Sequence, residues 1–330
     1  MTNYQKCIFL PKLFLMRKLL AVLCLSLFFL RSDAQILDML KGRVKDKAVE
    51  TATSLAGNKV NNLITTQAIT TNFGDCDVRN IKDPGFGADE QYTDLCHAEF
   101  SENGFVLRPG YYELRVKSFC LQAGTYAPGK GDGYLYAPLK GPKKDIVDKI
   151  VKNWYKKQNI SQADVQMLLW AIISKANFKN ISPELKLVAA QLLSPKEILS
   201  LSNMGLDFVP DNVMSEVKMN LPKPVQLVLE AENKMRQFFN SASYNYNELE
   251  RFAMLAGVNT QRSTINYGTW GLHPGGFWIA YLPSGYSQMK VRIFVPADKG
   301  TVNYIPSNDV AVPANESSQR LLLSDVKNCN

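Results

Sequence analysis

The sequence has few of the side chains that bind metals and, after its first 34 residues, no long apolar segment. Its 330 residues contain only two histidines, His97 and His273, and six cysteines, none of them in a Cys-x-x-Cys pair. Because zinc sites usually combine several cysteines and histidines at short spacings, we expect no metal site. We expect no cofactor either. No segment of residues 35–330 is long and apolar enough to form a membrane-spanning helix.

The charge pattern gives no indication of a polyanionic partner such as a nucleic acid. The whole chain carries a formal net charge of +8, but residues 1–34 account for half of it, because five Lys and Arg and one Asp lie there. Nucleic-acid-binding domains usually show a strongly basic stripe, so we expect no nucleic-acid partner. The segment 124–130 fits the first seven positions of a phosphate-binding loop, but Gly131 stands where that loop needs a hydroxyl side chain. An exposed turn is expected there.

An export signal is the clearest feature that is present. Arg17 and Lys18 precede the apolar run 19–30, and small residues at Ser32 and Ala34 precede Gln35. A basic start, a short apolar run and a small-residue cleavage site are typical of a signal peptide. The pattern predicts that residues 1–34 are removed and that the mature chain works outside the cytoplasm, secreted or at a cell surface. Residues 35–72 are expected to form an amphipathic helix over 36–64 and a linker.

Four cysteines remain after removal of the signal: Cys76, Cys96, Cys120 and Cys329. Outside the cytoplasm four cysteines are expected to form two disulfides, with three possible connectivities. The acidic stretch 75–94 does not match a calcium-binding loop. It is expected to be a solvated loop, closed by a Cys76–Cys96 disulfide.

The periodicity of the apolar residues changes twice along the chain. Residues 73–140 are predicted to be β-rich, with the clearest strand over 111–121, and residues 141–257 are predicted to be helical. Residues 258–330 return to strands, beginning with a hairpin over 276–282 and 288–295 that later runs near 302–305 and 320–323 extend. This order favours an α+β fold, in which a helical subdomain is inserted into, or lies beside, an antiparallel β structure. Helix starts are expected near Pro142, Ser161, Ser182-Pro183, Ser194-Pro195, Lys223 and Asn245.

Cys120 and Gln166 are the most informative pair of residues. Cys120 ends the predicted strand, in Phe119-Cys120-Leu121-Gln122. Gln166 is the only polar side chain in the helical run 165–173, which is so apolar that it should be buried all round. A buried amide costs free energy unless its hydrogen bonds are made, so this glutamine requires an explanation.

These two segments resemble the thioester domains of bacterial surface adhesins. Those domains carry an aromatic residue or Leu, then Cys, an apolar and a polar residue, and later an apolar-Gln segment often followed by Trp. Residues 119–122 match the first pattern. Residues 165–170 match the second, except that Met167 stands where a hydrophilic residue is usual. The family places its cysteine on a β element and its glutamine in a helical subdomain.

The resemblance implies an internal thioester between the Cys120 sulfur and the Gln166 side chain, which an amine on a surface target attacks to form an amide. This would be single-turnover covalent attachment rather than repeated catalysis. A thioester must be shielded from water. The expected wall of the site consists of Phe119, Tyr126, Tyr134, Tyr136 and Trp170.

Two other functions are compatible with the sequence. The chain could be a secreted, disulfide-stabilised binding or structural module in which Gln166 is an ordinary hydrogen-bonded core residue. It could also be a cysteine-dependent hydrolase, in which Cys120 uses His273 or His97 as its base. If Cys120 forms a thioester, three cysteines remain, and one of them must be free or pair with another chain.

Overall fold

The computed structural model describes residues 66–329, apart from 130, 203–210, 220, 242–243, 258 and 260–262. The expected signal peptide (1–34) and amphipathic helix (36–64) lie outside the described residues. Within them, a first group of strands is followed by a block of helices and a second group of strands. The predicted α+β class is confirmed.

Thirteen strands are described in these parts of the chain, all short except β4, β9, β10 and β13. They are β1 (Ile81–Lys82), β2 (Thr93–Asp94), β3 (Phe105–Leu107), β4 (Gly110–Cys120), β5 (Thr125–Tyr126), β6 (Tyr134–Ala137), β7 (Met254–Leu255), β8 (Trp270–Leu272), β9 (Trp278–Pro283), β10 (Gln288–Val295), β11 (Val302–Tyr304), β12 (Val310–Pro313) and β13 (Leu321–Lys327).

Seven α-helices are described, all between β6 and β7. They are α1 (Lys144–Tyr155), α2 (Gln162–Ile173), α3 (Pro183–Leu192), α4 (Pro195–Ser202), α5 (Asp211–Lys218), α6 (Lys223–Ser241) and α7 (Tyr246–Ala253). Helix α5 was not expected from the sequence. The helical block therefore interrupts the β structure, as the change of periodicity predicts.

The main sheet joins strands from both ends of the sequence. Its order is β1-β8-β9-β10-β4-β13-β12-β6, with all these pairs antiparallel, and β2 pairs in parallel with β4. The predicted hairpin is β9–β10, in which Met289 faces Pro283 and Phe294 faces Trp278. Two small sheets, β3–β11 and β5–β7, lie outside this path. Strand β11 thus pairs with β3 rather than extending the hairpin.

Strand β4 is the central strand of the sheet and carries the predicted alternation only in its middle. Leu114 and Val116 are buried while Arg115 is exposed, as expected for a strand with one solvated face. From Ser118 to Cys120 every residue is buried. Both faces of the sheet are therefore covered where β4 ends.

The helix starts follow the capping signals in the sequence. The Ser161 hydroxyl accepts the Asp164 N–H at the start of α2, and the Ser182 hydroxyl accepts the Leu185 N–H at the start of α3. Helix α1 begins at Lys144 rather than at Pro142. The residue before the helix is hydrogen-bonded to another segment, because the Lys143 N–H donates to the Ala68 carbonyl.

Helix α2 is buried on nearly all sides, as its composition predicts. Eight of its twelve residues are buried, including Gln166 and Trp170. It packs against α1, α3, α6 and α7, which explains why a helix without a polar face is stable here.

The one disulfide among the described cysteines joins Cys96 and Cys329. The expected Cys76–Cys96 pairing is therefore wrong, and Cys76 and Cys120 are free. Cys96 follows β2, which runs parallel to the first half of β4. Cys329 follows β13, which runs antiparallel to β4 from its end back toward its middle. The sheet brings together two cysteines that are 233 residues apart.

Candidate functional site

Cys120 lies where strand β4 loses a neighbour on one side. On that side β10 begins at Gln288, opposite Lys117, three residues before Cys120. On the other side β13 continues, and Leu321 is paired with Cys120. The backbone N–H and C=O of Cys120 therefore need another partner on the open side.

The side chain of Gln166 supplies that partner. Its Oε1 accepts the N–H of Cys120 at 2.8 Å, and its Nε2 donates to the Cys120 carbonyl at 3.1 Å. One helical turn earlier, the Gln162 Nε2 donates to the carbonyls of Ser118 and Ser287 at 3.0 and 2.7 Å. Two glutamines on one face of α2 thus hold the helix to the end of β4.

The Cys120 thiol is completely buried, with 0% of the residue exposed. Its Sγ donates to the Gln122 carbonyl at 3.1 Å. Burial raises the pKa of this thiol to about 11, an effect opposed in part by the Gln122 backbone and by Trp170. The thiol is therefore protonated at neutral pH and shielded from solvent.

Aromatic side chains surround the sulfur. Trp170 is one turn after Gln166 on α2, and its indole Nε1 lies beside the sulfur, yet it forms no regular hydrogen bond with any described residue. The hydroxyls of Tyr134 and Tyr246 lie within electrostatic range of Cys120. Tyr134 is fully buried, and its hydroxyl donates to the Gln319 carbonyl at 3.1 Å.

Helix α7 completes the wall through Tyr246. Its ring lies 5.5 Å from that of Trp170, and its hydroxyl contacts the hydroxyl of Tyr286, which in turn donates to Glu250. Neither Tyr246 nor Tyr286 was expected in the site. The apolar residues around Asn245 predict a helix, but nothing in the sequence places that helix against α2.

The other expected wall residues have contacts elsewhere in the structure. Phe119 packs edge to face against Trp154 of α1 at 5.2 Å, on the opposite face of β4 from Cys120. Tyr126 is half-buried, and its backbone bonds to the segment 317–319. Tyr136 packs against His273. Of the expected wall, Trp170 and Tyr134 are thus the members near Cys120.

Neither histidine lies in a position to activate Cys120. The Nδ1 of His273 accepts the Gly275 N–H at 2.9 Å, so its Nε2 carries the proton and donates to Asp309 at 3.1 Å. His97 is exposed, whereas Cys120 is not. The thiol–imidazole pair that a cysteine hydrolase needs is therefore not formed.

No group of three or more His, Cys, Asp or Glu side chains within the described ranges is arranged to hold a metal ion. Likewise, none of the helices described here has the length and apolarity needed to cross a membrane.

Comparison with known proteins gives no relative. No family model, curated protein or solved structure matches this chain. The site must therefore be interpreted from its own geometry.

Proposed function

We propose that this chain is a secreted, adhesin-like protein that forms an internal thioester between Cys120 and Gln166 and uses it to attach covalently to amine-bearing surface targets. The observation that carries the proposal is the pair of hydrogen bonds between the Gln166 carboxamide and the backbone of Cys120. They hold the electrophile of the reaction against the residue that provides the nucleophile, which reduces the entropic cost of their reaction.

The chemistry uses only these two side chains. The Cys120 sulfur attacks the Gln166 Cδ, the C–N bond of the carboxamide breaks, and ammonia leaves with the thiol proton. The product is a C–S bond. A target amine then attacks the same carbon, the C–S bond breaks, and the Cys120 thiol is regenerated as a stable amide forms.

The surroundings of the pair favour this chemistry over simple hydrolysis. Cys120 is 0% exposed and Gln166 is 1% exposed, so bulk water is excluded from the bond. The unpaired indole N–H of Trp170 beside the sulfur is a donor that can stabilise negative charge developing there. The export signal predicted from residues 1–34 supports a location in which surface amines are available.

Intact mass spectrometry of the unreduced mature protein tests the proposal. We expect a mass lighter by one ammonia than the mass with one disulfide, and methylamine should add to the chain with release of one thiol. The ammonia loss should disappear in Cys120→Ala and in Gln166→Ala.

Cys76→Ala is the matched control, because Cys76 is the other free thiol and its Sγ contacts the Leu135 carbonyl of β6. It should keep the ammonia loss. A native mass explained by the disulfide alone, with no methylamine adduct, would favour the alternative of a structural or binding module in which Gln166 only completes the hydrogen bonding of β4.

A further inference from the structure

A cavity of about 400 Å³ is lined in part by Gln122, in the loop that follows Cys120. Its walls are the segment 66–73, the start of α6, the end of β12 and the turn before β13. All of these elements belong to the unit that begins at Thr65. The cavity combines an apolar wall with two polar side chains that form no hydrogen bond with any described residue.

Gln122 is the first of these polar groups. The residue is 7% exposed, its Oε1 is buried without a hydrogen bond, and its Nε2 donates to no described residue. Its main-chain carbonyl, by contrast, is used twice, by Cys120 and by Thr125. A buried carboxamide oxygen without a partner costs free energy, which a ligand that donates a hydrogen bond to it would recover.

Arg320 is the second polar group, and it lines the same cavity. Its guanidinium forms no hydrogen bond or ion pair with any described side chain, although Glu316, Glu232 and Asp75 lie within electrostatic range. Burial lowers the pKa of Arg320 to about 10, so the group stays cationic at neutral pH. A partly exposed guanidinium with open donors at the wall of a cavity is suited to bind a carboxylate with two parallel hydrogen bonds.

The remaining wall is mostly apolar. Val228 and Leu229 of α6 and Val312 of β12 are all buried and line the cavity. Such a wall accommodates an aliphatic group and would gain free energy from its burial. Glu316 is exposed at the rim and disfavours a second negative charge on the ligand.

We propose that this cavity binds an organic monocarboxylate with an apolar body and an amide N–H, of the kind found at the C-terminal residue of a peptide. The carboxylate pairs with Arg320, and the aliphatic group lies against Val228 and Leu229. Rotation of the Gln122 side chain toward the cavity lets its Oε1 accept the N–H. The site does not involve the Cys120 thiol, so this proposal does not depend on formation of the thioester.

Ligand-observed NMR with N-acetyl-L-leucine and N-acetyl-L-leucinamide tests this. The two probes share the apolar body and the amide N–H and differ in the charge that Arg320 should recognise. We expect the acid to bind the mature chain at least about tenfold more tightly than the amide. Equal affinity for the acid and the amide, or no binding of either probe, would overturn the proposal. This comparison needs only the unmodified protein.

Three variants refine the test. Arg320→Gln and Gln122→Leu should each weaken the acid at least about tenfold, while Arg115→Gln, an exposed change on the outer face of β4, should leave it unchanged. Gln122 has no side-chain hydrogen-bond partner to lose, so Gln122→Leu should unfold at the native temperature or above. Arg320→Gln loses the attraction to Glu316, Glu232 and Asp75, so it should unfold at a somewhat lower temperature while remaining folded at the temperature of the binding measurement. Unchanged affinity in both folded variants would contradict the assigned site.

Discussion

The carboxamide of Gln166 occupies the position of a neighbouring strand at Cys120. It accepts the Cys120 N–H and donates to the Cys120 C=O, which is how two residues directly opposite each other in an antiparallel sheet are joined. One helix side chain thereby satisfies two buried main-chain groups at the place where β10 has not yet begun. The same contact joins the carboxamide to the residue that carries the thiol, so the structural role of Gln166 and its proposed chemical role depend on the same side chain.

Replacement of Gln166 by Leu tests the structural role. It leaves the N–H and C=O of Cys120 buried and unpaired, at about 1–3 kcal/mol each. We expect the free energy of unfolding to fall by about 2–4 kcal/mol, measured by urea denaturation. Gln158→Leu, on the exposed turn after α1, should change it by less than about 0.5 kcal/mol. A similarly small change for Gln166→Leu would mean that those two hydrogen bonds contribute little.

The number of titratable thiols separates the thioester from the unreacted pair. Cys96 and Cys329 are joined, so the chain that the structure describes has two further cysteines, Cys76 and Cys120. In neutral denaturant without reductant, we expect one reactive thiol, from Cys76, and a second one after methylamine treatment. Two thiols before treatment would rule out the thioester, and Gln166→Ala provides the reference sample with two.

The local elements were predictable because their signals are local. Ser161 and Asp164 define the start of α2, and the alternation after Gly110 defines β4, without reference to the rest of the chain. The α+β class followed from the order of such segments. These predictions depend on hydrogen bonds and side-chain periods within a few residues.

The pairings between distant segments were not predictable in the same way. Cys76 is nearer to Cys96 in sequence than Cys329 is, but β2 and β13 both pair with β4, which brings Cys96 and Cys329 together. Arg320 precedes an apolar run and looks like an ordinary surface charge. Only the packing of α6 over the Gln122 loop encloses it in a cavity.

Alkylation of Cys76 should depend on pH in a way that reports its burial. Desolvation raises the pKa of this thiol from an ordinary value of 9.0 to about 12. Because the thiolate is the nucleophile, the native chain should react with iodoacetamide on the order of 10²–10³-fold more slowly at pH 9 than the denatured chain. The native rate should still be rising at pH 10, whereas the denatured rate levels off. Equal pH profiles would mean that Cys76 is not desolvated.

Loss of the Cys96–Cys329 disulfide should lower the free energy of unfolding. It closes a segment of 233 residues, and cross-links over long segments restrict the unfolded chain strongly. The free energy of unfolding should fall by about 2–5 kcal/mol. Urea denaturation of the native protein and of Cys96→Ser/Cys329→Ser measures this difference, which also appears as a lower urea midpoint. The matched control is Cys76→Ser, which removes a free thiol and should shift the midpoint much less. Equal shifts in the two samples would contradict the pairing.

Gly124 connects the thiol site to helix α6, and its replacement tests that packing. Its φ of +73° is unfavourable for any other residue, and a Cβ there would lie 2.5 Å from the Leu227 carbonyl oxygen of α6. Strain and clash together should make Gly124→Ala destabilising by at least about 3 kcal/mol, and the displaced loop should expose Cys120 to thiol reagents in a Gln166→Ala background. Gly131→Ala is the control, because a Cβ at that position has no neighbour within 4 Å. If Gly124→Ala unfolds at the same urea concentration as Gly131→Ala, the close approach of α6 to this loop is not present in solution, and the cavity beside Gln122 would lose one of its walls.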